Sequence, residues 1–353
     1  MASAAAEARS GERVVRLCQS LVDARALRQQ VLDEIRRIVP FDAYAWLLTD
    51  PETSVGSSPL ADVPCLSELS TLIRLKYLTE VNRWTRMETA VGLLAEQTDG
   101  DLARSLVWRD LQRRFDVVDV ASVVFRDSFG CWGFLDLWRG HALGRFTSAD
   151  AAYLGGIAAP VTTALRRTQA QTFDMPAEEQ RPSRGSVVLL LSGELAVLGQ
   201  TPETQEYLRV LVPPSSGGSP IPAGAYNVAA QLLAVEAGVD ANRPFARVHL
   251  SGGRWLTLRA ARIEDAGLAE HRDIAVTLED TSPAERAGLF ARAHGLSVRE
   301  GELLGHLVRG VDTRDLARLM FLSQHTVQDH LKSIFAKTSV HSRRTLLAHA
   351  LGT

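Results

Sequence analysis

The chain has 353 residues, 46% of them hydrophobic and 23% charged, with a formal net charge of −2. That length implies two or three domains, and that composition excludes a disordered chain. The charge excludes a protein that is basic all over, so any nucleic-acid surface must be local. Cys18, Cys65 and Cys131 are far apart, odd in number and outside any C-x-x-C pair, which reads as reduced thiols. No apolar core follows "MASAAAEARSGERVVR" and no run of about 18 apolar residues occurs, so neither a signal peptide nor a membrane span is expected, and the location expected is cytoplasmic.

The first region, residues 1–170, opens on an amphipathic helix, "ALRQQVLDEIRRIVP", with Leu27, Val31, Ile35 and Ile38 on one face and Pro40 after its end. "DAYAWLLTD" reads as a strand closed by Pro51, and a long helical stretch is expected from about Asp62 to Glu96. "VVDVASVVFRD" and "CWGFLDLWRG" are strands joined at "SFG". A helix follows in "FTSADAAYLGGIAAPVTTALRRTQA", capped by Thr147 or Ser148. This order predicts an α+β sandwich with a pocket on one sheet face. Alternation places Trp132, Phe134, Asp136 and Trp138 on one face. The pocket candidates are Tyr44, Trp46, Phe125, Trp132, Phe134 and Trp138, each of which could equally be core.

A polar linker, residues 171–186, leads to a second region, 187–282. "VVLLLSGELAVLGQT" reads as a hairpin turning at Ser192-Gly193, then come a short helix in "ETQEYLRVL", the insert "PPSSGGSPIPAG", and a helix that stops at Gly238. Three strands close the region, "FARVHL", "RWLTLRAARI" and "DIAVTLED", which predicts a five-stranded antiparallel sheet with helices on one side. A connecting helix over 283–294 precedes an all-helical tail, 295–353, whose helices start at Ser or Asp.

The tail carries eight Arg or Lys against five Asp or Glu from Leu296 to Thr353, a local charge of +3. In "DTRDLARLMFLSQHTVQDHLKSIFAK", Leu316, Ala317, Leu319 and Met320 form an apolar stripe and Ser323 caps the next helix. On that helix Val327, Leu331, Ile334, Phe335 and Thr338 gather on one side. His325, Asp329, Lys332, Ser333 and Ala336 lie opposite, flanked by Thr326 and His330. A short capped helix, a tight turn and a polar-faced second helix form a helix-turn-helix, whose second helix would enter the major groove.

The stretch "LSVREGELLGHLVRGVDTRDLARLMFLSQHTVQDHLKSIFAKTSVHSRRTLL" resembles the LuxR-type helix-turn-helix domain found in NarL-like regulators, over about 55 residues. Leu296, Arg299, Glu300, Glu302, Leu304, Gly310, Leu316, Ala317, Leu319, Ser323, Thr326, Val327, His330, Leu331, Ile334, Lys337, Arg343 and Leu346 fit that pattern; Gln328 stands where the family often has Lys. The resemblance implies a four-helix domain that dimerises on two-fold-symmetric double-stranded DNA. The residues expected at the DNA are Ser323, His325, Thr326, Val327, Asp329, His330, Lys332, Ser333, Lys337, Arg343 and Arg344. Core packing is the other reading for Val327. Asp329 either accepts from a cytosine amino group or pairs with Lys332 or His325.

The first region resembles a GAF domain in its element order and closing helix, and the second resembles a PAS domain in "VVLLLSGELAVLGQTPETQEYL". Together they imply a multidomain α+β one-component regulator of an Arg-rich, Lys-poor actinobacterial type, with only Lys76, Lys332 and Lys337 as lysines. No G-x-x-x-x-G-K-[ST], H-E-x-x-H, G-x-S-x-G or Cys/His metal spacing occurs, so no enzyme, cofactor or metal is expected. The expected function is a homodimeric transcriptional regulator governed by a small molecule at the GAF-like or PAS-like domain, with RNA polymerase as an open further contact. The alternative is a regulator governed by a partner protein through sensor domains that bind no ligand.

Overall fold

The computed structural model describes residues 2–20, 23–174, 187–204, 222–250, 254–263 and 273–352. Two compact units divide the chain. One takes residues 1–165, 184–248 and 257–279, the other 166–183, 249–256 and 280–353.

The first unit opens with two packed helices, α1 (Ala2–Gln19) and α2 (Ala24–Ile38). α1, which carries no plain apolar stripe, adds a helix ahead of the amphipathic one expected from the sequence. α1 docks through a polar contact: Ser10 Oγ donates to Glu34 Oε2 at 3.0 Å and lies 2.9 Å from the Tyr153 hydroxyl. α2 starts where Asp23 accepts the Arg25 and Ala26 amides at 2.8 and 2.9 Å, and it buries Leu27, Val31 and Ile35. Each such side chain contributes roughly 1.5–3 kcal/mol when buried.

The first sheet comprises β1 (Ala43–Thr49), β2 (Gly56–Asp62), β3 (Val91–Leu93), β4 (Val117–Asp127) and β5 (Gly130–Gly140), in the order β2-β1-β5-β4-β3 and antiparallel throughout. The long helix expected from Asp62 to Glu96 is not formed. That interval holds a 3-10 turn at Leu66–Glu68, α3 (Leu69–Leu78), an irregular stretch, β3 and the single turn α4 (Leu94–Gln97). β2, "GSSPLAD", has no strand pattern of its own; its pairing with β1 makes it an edge strand. α5 (Leu106–Asp110) and α6 (Ser148–Gln171) complete this region, and Thr147 Oγ1 accepts the Asp150 amide at 3.2 Å as expected of a cap.

The β4–β5 turn depends on Gly130. Its φ is +152°, and a Cβ there would meet the Pro51 carbonyl oxygen at 2.3 Å, which is backbone and cannot swing aside. Gly130→Ala is therefore expected to lower stability by about 2 kcal/mol, as a shift of the urea midpoint without a change of slope.

The second sheet comprises β6 (Val187–Leu191), β7 (Val197–Gln200), β8 (Phe245–His249), β9 (Trp255–Arg262) and β10 (Ile274–Asp280), ordered β7-β6-β10-β9-β8. Relative to their own first strands, the two sheets have the same order. The β6–β7 turn spans 192–196 rather than two residues, with Leu195 at φ +63° and the Ser192 amide donating to Ala196 O at 2.9 Å. α7 (Ala223–Glu236) ends before Gly238 at φ +72° and packs on α3 and β2. The helix expected in "ETQEYLRVL", most of the "PPSSGGSPIPAG" insert and most of the linker fall outside the described residues.

Two buried arginines fasten the halves of this unit. Arg247 grips Asp50 through Nε and Nη2, at 2.7 and 2.8 Å. Arg83 Nη2 donates to Asp240 Oδ2 at 2.7 Å and to Gln231 Oε1 of α7 at 2.8 Å, while its Nη1 donates to Tyr77 O at 2.6 Å.

The second unit holds α8 (Pro283–Ala293), α9 (Val298–Val308), α10 (Thr313–Leu319), α11 (Gln324–Thr338) and α12 (Arg343–Leu351). α8, expected as a connector, packs on α9 and α12. A capping box of Ser282 and Glu285 starts it, with Pro283 at the first helical position. Its Phe290 meets Phe173 edge-on at 5.4 Å, and Phe173 stacks on Trp255 at 5.3 Å. Burial pushes the neighbouring His294 imidazole down to about 4, so it is neutral at pH 7. Among the described residues, no helix is long and apolar enough to cross a membrane, and no group of His, Cys, Asp and Glu could hold a metal ion.

Candidate functional site

Local chemistry sets the boundaries of the tail helices. Asp312 accepts the Asp315 amide at 2.9 Å at the start of α10, Ser323 the Thr326 amide at 3.1 Å at α11, and Ser342 the Thr345 amide at 3.1 Å at α12. The α10–α11 turn is a Schellman closure: Phe321 N–H reaches Arg318 O and Leu322 N–H reaches Ala317 O. Its left-handed position, normally glycine, is Phe321 at φ +56°, with a side chain 95% exposed. Holding a non-glycine residue there costs about 1–3 kcal/mol. Leu319, expected in the buried stripe, is 53% exposed; Leu316, Ala317 and Met320 are buried.

On α11, Val327, Leu331, Ile334 and Thr338 are buried, and Phe335 is half-buried. Val327 is wholly enclosed, so in this arrangement it packs and presents nothing outward. His325, Gln328, Asp329, Lys332 and Ala336 are exposed, while Thr326, His330 and Ser333 are partly so. Over its 15 residues this face runs about 22 Å. Asp329 sits between His325 and Lys332, each at 3.5 Å, with the Lys332 ammonium facing its carboxylate.

Ser333 and Lys337 face α9 instead. Ser333 Oγ donates to Glu300 Oε1 and Lys337 Nζ to Glu300 Oε2, both at 2.6 Å. Glu300 also caps its own helix by accepting the Ser297 amide at 2.6 Å. Burial alone would raise the Glu300 carboxyl; Lys337, Ser333 and the Ser297 amide outweigh it and hold it down at about 2. One carboxylate thus joins the start of α9 to the outer flank of α11 and fixes the roll of that helix. The sequence pattern contained Glu300 without assigning it a role; the only signal was its capping position after Ser297. Arg343 is partly engaged, with Nη2 donating to Val311 O at 2.7 Å, and Arg344 is exposed.

Residues 294–350 match the family model described as bacterial regulatory proteins, luxR family. The luxR-family match covers α9 to α12 almost to the residue and begins one residue after α8 ends. The tail is a luxR-family helix-turn-helix domain, and Ser323 to Thr338 are its cap and second helix. No curated protein matches the chain. The crystal structure of the E. coli DhaR(N)–DhaL complex aligns over 80% of this chain and 90% of that one, at 15% identity and a TM-score of 0.20, a likeness too slight to show a shared fold.

The six aromatic candidates of the first region do not form one site. Phe134 and Trp138 line a cavity on one face of the first sheet, where Ala45 and Leu47 also point. Alternation puts Tyr44 and Trp46 on the opposite face, where Trp46 stacks on Phe125 at 5.0 Å and Tyr44 meets Phe41 edge-on at 5.9 Å. Trp132 does not line the cavity. A register shift after Phe125 leaves it without a cross-strand partner, and its indole donates to Asp127 Oδ1 at 2.9 Å. His141 is exposed beside Asp116. Cys18, Cys65 and Cys131 are buried and unbridged, and burial pushes the Cys131 thiol up.

Proposed function

We propose that this chain is a sequence-specific transcriptional regulator that binds double-stranded DNA as a homodimer through α11, under the control of a small molecule held by the first unit. The observation that carries the reading is the outward face of α11 within a luxR-family domain: His325, Thr326, Gln328, Asp329 and Lys332 stand free of the core along one side. Such a face suits base edges, and the exposed cations Lys332 and Arg344 are the side chains this reading assigns to phosphate. The GAF-like and PAS-like readings of the two sheets belong to this proposal. Their support is two five-stranded sheets of identical order, one of them with a cavity on its face.

The test is selection of genomic DNA fragments on the purified full-length protein, followed by sequencing. A short two-fold-symmetric motif is the expected result; fragments enriched without a common motif would reject the sequence-specific reading. Lys332→Ala and Arg344→Ala are the informative variants. Each is expected to weaken binding nearly uniformly across sequences and to lower the salt slope, log Kd against log salt, by about 1. An unchanged slope would remove that residue from the interface. Lys337→Ala is a poor substitute, because it first disturbs Glu300.

A further inference from the structure

Three residues that line the cavity over the first sheet each carry a buried polar atom with no partner among the described residues. These atoms are the Trp138 indole Nε1, the Gln112 side-chain oxygen and the Asn227 side-chain oxygen, on residues 2%, 2% and 0% exposed. Buried polar atoms of this kind are uncommon in folded proteins; of those among the described residues, three belong to residues lining this one cavity. Asn227 is held in place, because its Nδ2 donates to Ala223 O at 2.9 Å and so fixes where Oδ1 points. It comes from α7 of the second region, whereas Trp138 and Gln112 come from the first. α7 therefore supplies one wall of the cavity, and Gln231, one turn further along the same helix, is clamped by Arg83.

Charge at the site is already answered. Asp136 accepts from Lys76 Nζ and from Ser122 Oγ, both at 2.7 Å. Most of the remaining lining is apolar, with Leu47, Leu69, Leu72, Ile73, Val107 and Phe134 among it. Two of the lining residues, Phe134 and Trp138, lie about 13 Å apart along β5.

We infer that this cavity binds an uncharged, largely apolar small molecule that accepts a hydrogen bond from Trp138 and donates N–H or O–H groups to Gln112 and Asn227. The inference deepens the sensor half of the proposed function and rests on the first unit being that sensor. The DNA selection above uses no probe, so the two can fail separately.

The experiment titrates the full-length protein with three probes, followed by ligand-observed NMR. 4-Hydroxyacetanilide is neutral with two donors and one carbonyl acceptor, ethylbenzene is apolar, and benzoate is an anion. 4-Hydroxyacetanilide should bind saturably and more tightly than either of the others. Trp138→Phe, Gln112→Met and Asn227→Leu should each weaken it at least about fivefold with unchanged circular dichroism. Gln112→Met, the closest in shape, serves as the readout should either of the others fail to fold. Absence of saturable binding overturns the proposal. So does ethylbenzene or benzoate binding as tightly as 4-hydroxyacetanilide, or an affinity unchanged in Gln112→Met.

Discussion

Arg83→Ala is expected to destabilise the first unit by about 3–5 kcal/mol, the cost of breaking a buried ion pair from one side. The Arg83 side chain is wholly enclosed and that of its partner Asp240 is 7% exposed. Burial pushes the Asp240 carboxyl up, and the Arg83 guanidinium more than offsets this, so the carboxylate is charged at neutral pH. Removing the guanidinium leaves that charge without its cation and frees Gln231 Oε1 and Tyr77 O. It also opens space beside Trp84, whose ring lies 4.1 Å from the guanidinium carbon. Arg83→Lys should recover only part of the loss, because an ammonium cannot serve three acceptors with the geometry of a planar fork. Urea unfolding followed by tryptophan fluorescence reads this unit, since Trp46, Trp84, Trp108, Trp132 and Trp138 lie in it. A loss below about 1 kcal/mol, the value of an exposed pair, would mean that the Arg83 cluster does not hold the unit together. Because α7 is fastened here, the same variant should also loosen the cavity wall that carries Asn227.

Glu300→Ala is the counterpart in the tail, with an expected loss of about 3 kcal/mol. The capping box alone contributes about 1 kcal/mol, and the charge-assisted bonds from Ser333 and Lys337 supply the remainder. Hydrogen exchange in α9 and α11 should accelerate more than a hundredfold, since each 1.4 kcal/mol is a factor of ten. DNA binding should fall with it although Glu300 is buried between α9 and α11, because α11 loses the anchor that sets its roll. Lys337→Ala should cost less: that side chain is 38% exposed and solvent takes over part of its role. The pH dependence has a definite sign. The folded carboxyl sits at about 2 against an ordinary value of 4.5, so its contribution is complete above pH 4.5 and is lost as the pH falls toward 2. Protection factors in these helices, corrected for the intrinsic pH dependence of exchange, that do not change between pH 5 and pH 2.5 would exclude the Glu300 anchor.

Much of the tail was legible in the sequence because its determinants are local. Ser297, Asp312, Ser323 and Ser342 each cap a helix from within three residues, and the 3.6-residue period separates Val327, Leu331 and Ile334 from His325, Asp329 and Lys332. The strands over Val117–Asp127 and Gly130–Gly140 were equally plain, since nearly continuous apolar runs joined at a glycine turn have few other uses. What the sequence by itself determined was thus a helix-turn-helix at one end and sheet-forming segments before it.

The tertiary structure decided which residues face which. β2 is a strand only through β1, so residues 56–62 carried no pattern of their own. Ser333 and Lys337 lie one turn apart on α11, and only the fold brings Glu300 of α9 between them. Trp46 and Phe125 went to the far side of the first sheet from Phe134 and Trp138, because pairing register, not aromatic character, selects the face. Arg83 meets an aspartate 157 positions away, and Asn227 closes a cavity whose other walls come from the first region. Contacts of that separation leave no periodic trace in the chain: each side chain looks ordinary in its own segment, and only the closed fold brings the partners together.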